Sequence, residues 1–125
     1  MRRYIGLAVI LIGLAHVLYV VVAKSGPWVA IVRDGVVNAV EPHPEREAAV
    51  WSLWFGVFVA TTGALIATIQ ARGQHAPAFA GWALLAMGLL GGILMPISGF
   101  WAGIPLGLLI LLPPRRGKRE SSAYA

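Results

Sequence analysis

Between Gly73 and Pro114 the chain runs 42 residues without a formal charge. As one helix at 1.5 Å per residue that stretch would measure about 63 Å, roughly twice a hydrocarbon core. It must therefore fold back once, and Pro96-Ile97-Ser98-Gly99 is the obvious breaker. Two further runs are uncharged: Tyr4 to Ala23, with 20 residues, and Ala48 to Ala71, with 24. A membrane-spanning helix needs about 20 apolar residues. Only 12% of the 125 residues are charged, about half the share in a soluble domain. An ordinary soluble globule is excluded, as is a disordered chain. With no cysteine, so is a disulfide scaffold. The expectation is an all-α, four-transmembrane-helix bundle forming a single integral membrane domain over residues 1–125. Its spans lie near residues 4–23, 48–71, 77–95 and 99–112. A partly structured outer loop, residues 24–47, joins the first two helices, and residues 113–125 form a cytoplasmic tail.

The net charge of +5 takes its meaning from where the charges fall. With the N-terminus in the cytoplasm, Arg2, Arg3, Arg72, Arg115, Arg116, Lys118 and Arg119 lie inside, against Glu120 alone. Lys24, Arg33 and Arg46 lie outside with Asp34, Glu41, Glu45 and Glu47. That asymmetry obeys the positive-inside rule and puts both termini on the cytoplasmic side of the membrane. The basic excess is a topology signal with an anionic-lipid contribution rather than a nucleic-acid footprint. A cleaved signal peptide is the competing reading of Met1-Arg2-Arg3 and the run after it. The run is longer than a usual signal core, which favours an uncleaved first helix.

Glycines recur seven residues apart at Gly6/Gly13, Gly56/Gly63 and Gly81/Gly88, with four-residue spacings at Gly88/Gly92 and Gly99/Gly103/Gly107. Seven residues are close to two helical turns, so each pair shares a face. In lipid, small residues on one face let helix backbones approach closely. Packing within the bundle is the first reading, and homo-oligomerisation through the same glycine faces is the other.

The loop from Lys24 to Glu47 holds four of the five acidic residues. Within it, Ser25-Gly26-Pro27-Trp28 reads as a helix start and Asp34-Gly35 as its end, with Trp28, Ile31 and Val32 as the buried face. Glu41-Pro42-His43-Pro44 is a stiff approach to the second span, with Pro44 at the first helical position and carboxylates favoured in the first turn. The plain reading of these acids is a solvated loop. The functional reading depends on what the loop covers.

On the outer half of the bundle the topology gathers His16, Tyr19, Trp51, Trp54, Phe55, Phe58, Ser98 and Trp101. His16 is the one ionisable residue clearly inside a span. Such groups face the bundle interior with a partner, here a site residue or simply a backbone carbonyl or tyrosine. Trp51, Trp54, Phe55 and Phe58 crowd the first turns of the second helix. An interfacial belt accounts for tryptophans at that depth, and a pocket lined by rings near Glu45, Arg46 and His16 is the alternative. Aromatic faces stabilise cations, and a desolvated carboxylic acid is held protonated and can donate.

Several chemistries lack their parts. Asp34 is the only aspartate, so no paired-aspartate motif exists for metal-ionised diphosphate chemistry or for a soluble class II cyclase. No thiolate can hold haem, iron–sulfur or zinc. His16 and His43 fall outside while His75 falls inside, so three histidines cannot converge on a metal. No Walker or dinucleotide-binding glycine pattern opens a helix after a strand. No carboxylate lies within a span, which argues against a proton-coupled drug exporter. Neither metal nor cofactor is expected.

Gly13-Leu14-Ala15-His16 in the first span and Glu45-Arg46-Glu47-Ala48-Ala49-Val50-Trp51 leading into the second together carry a resemblance over most of the chain. The sequence resembles a family of small actinobacterial four-helix membrane proteins of uncharacterised function. It is also similar to the small integral-membrane terpene cyclases of bacterial meroterpenoid sesquiterpene pathways. The second resemblance implies metal-free, proton-initiated cyclisation of a prenyl chain already attached to another group. On that reading Glu45 is the preferred proton donor and Glu41 the second choice. His16 is a base or hydrogen-bond partner and Arg46 an orienter. Trp28, Tyr19, Trp51, Trp54, Phe55, Phe58 and Trp101 would bind a hydrophobic prenylated substrate. The other reading is a non-enzymatic membrane scaffold or partner subunit that binds a lipid-like ligand, with the same residues acting as belt, caps and packing glycines.

Overall fold

The computed structural model describes residues 4–112. The expected tail, residues 113–125, and the basic residues Arg2 and Arg3 lie outside the described residues. The described chain is all-helical, with five α-helices, one 3₁₀ turn and no strand. In order these are α1 (Ile5–Ala23), α2 (Ser25–Arg33), α3 (Pro44–Ala71), α4 (Ala78–Leu94), a 3₁₀ turn (Gly99–Ala102) and α5 (Gly103–Leu111). Helices α1 and α3 are long and apolar enough to cross a membrane; α4 and the 3₁₀–α5 segment are shorter apolar helices. The chain divides between Ala76 and Pro77 into two compact units.

The first unit is built on an antiparallel pair, α1 against α3. Its seam is set by the seven-residue glycines. A Cβ on Gly6 would come within 2.6 Å of the Ala67 Cα, and one on Gly13 within 2.8 Å of the Ala60 Cα. In return, Gly63 lies against Ile10 and Gly56 against Val17. Gly6 thus faces Ala67, Ile10 faces Gly63, Gly13 faces Ala60 and Val17 faces Gly56, a single register without a slip. Val9, Val20 and Ile66 fill the remaining seam and are almost fully buried. Gly6 N, one of the first amides of α1 and so without a partner in its own helix, donates to Gln70 Oε1 at 3.1 Å.

The helix ends follow from local chemistry. Helix α2 closes in a Schellman motif: Val36 N donates to Ile31 O and Gly35 N to Val32 O, with Gly35 at φ 92°, where a Cβ is costly. Helix α3 ends the same way at Gly73, φ 71°, with Gln74 N on Ile69 O and Gly73 N on Gln70 O. Helix α3 begins at Pro44 rather than at the apolar run from Ala48. Proline lacks an N–H that the first turn does not use, and Glu45 and Glu47 suit the helix N-terminus, so the helix extends one polar turn beyond the hydrophobic run.

The buried face expected for α2 needs one correction. Ile31 is buried and Trp28 half-buried, but Val32 is exposed. The phase of this short helix is set by the Trp28 indole, whose Nε1 donates to Val20 O at 3.2 Å. That carbonyl is among the last four of α1, which have no acceptor role within their own helix.

The second unit is a hairpin of α4 and α5 on the same plan. Gly81 of α4 lies against Ile110 and Leu111 of α5, Leu85 against Gly107 and Gly88 against Ile104, again in one antiparallel register. Gly91 and Gly92 make room for the rings of Phe100 and Trp101. At the break, Ser98 Oγ donates to Met95 O at 2.6 Å and accepts from Phe100 N at 3.4 Å.

Candidate functional site

Residues with chemistry in the first unit gather where the 34–43 segment meets the start of α3. Glu47, Val50 and Trp51 share one face of α3, being three and four residues apart. With Asn38, Ala39, Val40 and Glu41 they line an open groove of about 340 Å³. Asn38 sits in the left-handed region at φ 57°, a conformation asparagine tolerates. The segment reaches this position because Arg46 holds it. Arg46 Nη2 pairs with Asp34 Oδ2 at 2.7 Å and Nη1 donates to Ala39 O at 2.5 Å. The guanidinium is well covered, its side chain 11% exposed, whereas Asp34 is 48% exposed. Arg46 therefore pairs across the loop with Asp34. Of its neighbours, Glu45 is exposed and Glu47 lines the groove.

Among the residues singled out from sequence, Glu41, Trp51 and Arg46 are brought to this end of α3. Glu41 and Trp51 line the groove itself. Glu45 is exposed and does not line it, because two residues along a helix turn a side chain to the other side from Glu47. Glu47 is the carboxylate on the groove that the sequence reading did not select. The signal was available: Glu47 and Trp51 form an i, i+4 pair.

His16 sits within the α1–α3 seam rather than at the groove. Its Nε2 lies 3.1 Å from Ser52 Oγ and 3.2 Å from Ser52 O. The carbonyl only accepts, so that contact requires the Nε2–H tautomer, while the hydroxyl serves either tautomer. Phe55 meets the imidazole edge-on, with ring centroids 5.4 Å apart and planes at 74°. Ser52 was missed from sequence. It lies one turn before Gly56, the glycine against which the His16 ring packs.

The remaining aromatic candidates do not converge. Trp54 and Phe58 stack on each other at 6.2 Å and are exposed, as are Trp51 (71%) and Tyr19. Trp28 ties α2 to the end of α1. Trp101 belongs to the second unit, where it packs on Gly92 and its Nε1 donates to Pro96 O at 2.9 Å. No group of three His, Cys, Asp or Glu side chains suited to a metal occurs among the described residues.

A family of unknown function (DUF6463) matches residues 1–117 of the chain. No curated protein and no solved structure matches it.

Proposed function

From the chain's membership of the DUF6463 family, whose function is unknown, we propose an integral membrane protein that acts as a binding scaffold for a lipid-like amphiphile. In this reading the chain crosses the bacterial plasma membrane four times, through α1, α3, α4 and the 3₁₀–α5 segment, with both termini cytoplasmic. The observation that carries it is how little of the apolar surface is internal. Within the most apolar 18-residue window, 28% of α1 and 17% of α3 is buried. Leu7, Leu11, Leu14, Leu18, Phe58 and Leu65 face outward while glycines occupy the contact. A protein in water conceals such a surface; a protein in lipid presents it. The shorter α4 and α5 are accommodated by thinning of the bilayer around them. The charge asymmetry of the sequence supports the orientation.

The groove at the loop end supplies a site for the ligand. Glu41, Glu47 and Asn38 offer polar contacts and the exposed Trp51 an aromatic face at the level where a headgroup meets its chains. Cyclisation asks for more. It needs an acid in a water-poor, ring-lined cavity, whereas Trp51, Trp54 and Phe58 face outward, the groove is open and His16 is occupied by Ser52. The cyclase reading retains one specific support, the meeting of Glu41, Glu47 and Trp51 on one groove.

One experiment separates the two readings. The protein is purified in native-lipid nanodiscs, its bound lipids are identified by mass spectrometry, and prenylated substrates are supplied in parallel. The scaffold reading expects an amphiphile recovered unchanged from the wild type and depleted in Trp51→Ala. Conversion of a prenylated substrate by the wild type, abolished in a folded Glu41→Gln/Glu47→Gln variant, would overturn it in favour of the cyclase.

A further inference from the structure

Helix α2 and the turn after it carry an apolar surface that the fold leaves uncovered. Val29 and Val32 lie three residues apart on the outward face of α2 and are 63% and 70% exposed; Val36 and Val37 continue it at 59% and 86%. The opposite side, Ile31 and Trp28, is the one that packs inward. Val36 holds φ 68°, a region that a β-branched side chain rarely adopts. The Schellman bond from its amide to Ile31 O fixes that backbone, so the turn presents two valines outward at a conformational cost. Strain retained in this way marks a functional surface.

Two observations indicate what covers it. The valine face continues from the last turn of α1, where Val21 and Val22 are themselves exposed, with only Lys24 between the helices. The valines are also bracketed by cations. Lys24 and Arg33 stand exposed at the two ends of α2, while the one acid of the turn, Asp34, is drawn back to Arg46. An apolar strip with basic side chains at its ends matches a bilayer interface, where chains and phosphates lie side by side.

We propose that α2 and the Gly35–Val37 turn lie in the membrane interface, with Val29, Val32, Val36 and Val37 in the acyl boundary and Lys24 and Arg33 on lipid phosphates. This rests on the reading that α1 and α3 cross the membrane. It makes the outer loop a monotopic element that sets the depth of the groove beside Trp51.

The absence of cysteine from the chain makes single-cysteine labelling clean. Val37→Cys and Val32→Cys carry an environment-sensitive fluorophore in vesicles of phosphatidylglycerol or phosphatidylcholine, with Leu11→Cys as the probe of α1. The expected result is blue-shifted emission from positions 32 and 37, quenched by lipids spin-labelled near the headgroup and shielded from aqueous iodide. The shift is larger in phosphatidylglycerol, and that difference disappears in Lys24→Gln/Arg33→Gln. Iodide quenching at position 37 with lipid quenching at position 11 overturns the proposal and leaves the spans intact. Shielding of position 37 from both quenchers also overturns it, in favour of a protein partner. Iodide access at position 11 would remove the membrane reading itself.

Discussion

Adding one methyl group at Gly13 tests the seam on which the first unit is built. The Cβ of Gly13→Ala would lie 2.8 Å from the Ala60 Cα and 2.8 Å from Gly56 O, with Ala60 N closer still, where ordinary contact begins at 3.4 Å. The shortfall, 3.4 less 2.8, is at least 0.6 Å at atoms that are all main chain of α3, so no rotamer change relieves it. The helices must part, and a gap of 0.5–1 Å forfeits roughly a quarter to a half of the dispersion attraction along the opened contact. Overpacking costs about 1–3 kcal/mol, and a clash with main chain that no rotamer relieves lies in the upper part of that range, about 2–3 kcal/mol, while alanine recovers about 1 kcal/mol of helix propensity over glycine. The expected net loss is therefore about 1–2 kcal/mol, read from reversible unfolding in mixed micelles followed by circular dichroism.

Gly56→Ala supplies the contrast. There the new Cβ meets side-chain atoms, Val17 Cγ2 at 2.8 Å and His16 Cδ2 at 3.0 Å. Trimming Val17→Ala should restore part of the stability of Gly56→Ala. Ala60→Gly should restore none of that lost in Gly13→Ala. Gly26→Ala, with nothing within 4 Å of the new Cβ, is the control without a clash and should lose no stability. If Gly13→Ala unfolds with the wild type, or Ala60→Gly rescues it, the argument from main-chain contact is wrong.

Three further outcomes follow from named contacts. Arg46→Met removes both bonds that hold the 34–39 turn and should cost about 1.5–3 kcal/mol; Asp34→Asn, at a half-exposed partner, should cost no more than about 1 kcal/mol. Amide exchange at Val36–Ala39 reports the difference, and equal effects would show that the pair acts only as a surface ion pair. Gly35→Ala forces a Cβ into the left-handed region and should lose about 1–2 kcal/mol, seen as faster exchange of the Val36 amide. Ser52→Ala takes the hydroxyl from His16 while leaving the Ser52 carbonyl position intact, so the loss should stay within about 0.5–1.5 kcal/mol; a larger drop in unfolding stability would mean that the hydroxyl carries more of the seam than one bond.

The helices were legible because charge and glycine spacing carry their information locally. A run without charge marks a helix whatever packs on it, and Gly6/Gly13 with Gly56/Gly63 specify the face that closes. The start of α3 was legible from Pro44 rather than from hydrophobicity, which marks only the apolar run from Ala48; the proline-led polar turn before it follows from backbone chemistry. The choice between Glu45 and Glu47 was harder. Neighbouring carboxylates on a helix differ by phase alone; the i, i+4 spacing puts Glu47 with Trp51, but which face meets the loop appears only once Gly56 and Gly63 are fixed against α1. The Arg46 tether was illegible, since it depends on a turn in which Val36 and Asn38 take positive φ, and no valine announces that. Val32 failed for a related reason: one indole hydrogen bond to Val20 O decides how a nine-residue helix is rotated.

The same glycine seam constrains where any ligand can bind to the first unit. Main chain lies against main chain from Gly6 to Gly13 on α1 and from Gly56 to Ala67 on α3; beyond the two ends of that contact Gly6 N donates to Gln70 and His16 lies within hydrogen-bond distance of Ser52. An isoprenoid chain cannot enter such a contact without separating the helices. Chemistry is thereby displaced to the end of the pair, where the Arg46-held loop, Glu41, Glu47 and Trp51 leave a groove open to the outside. A hydrophobic molecule bound there must lie along the outer surface of α3, its polar end at the carboxylates and its chain beside Trp51, Trp54 and Phe58. On the proposed reading the outward aromatic stripe serves as both membrane belt and ligand surface. Substitutions on it should change what is bound without changing stability, and substitutions in the seam should do the reverse.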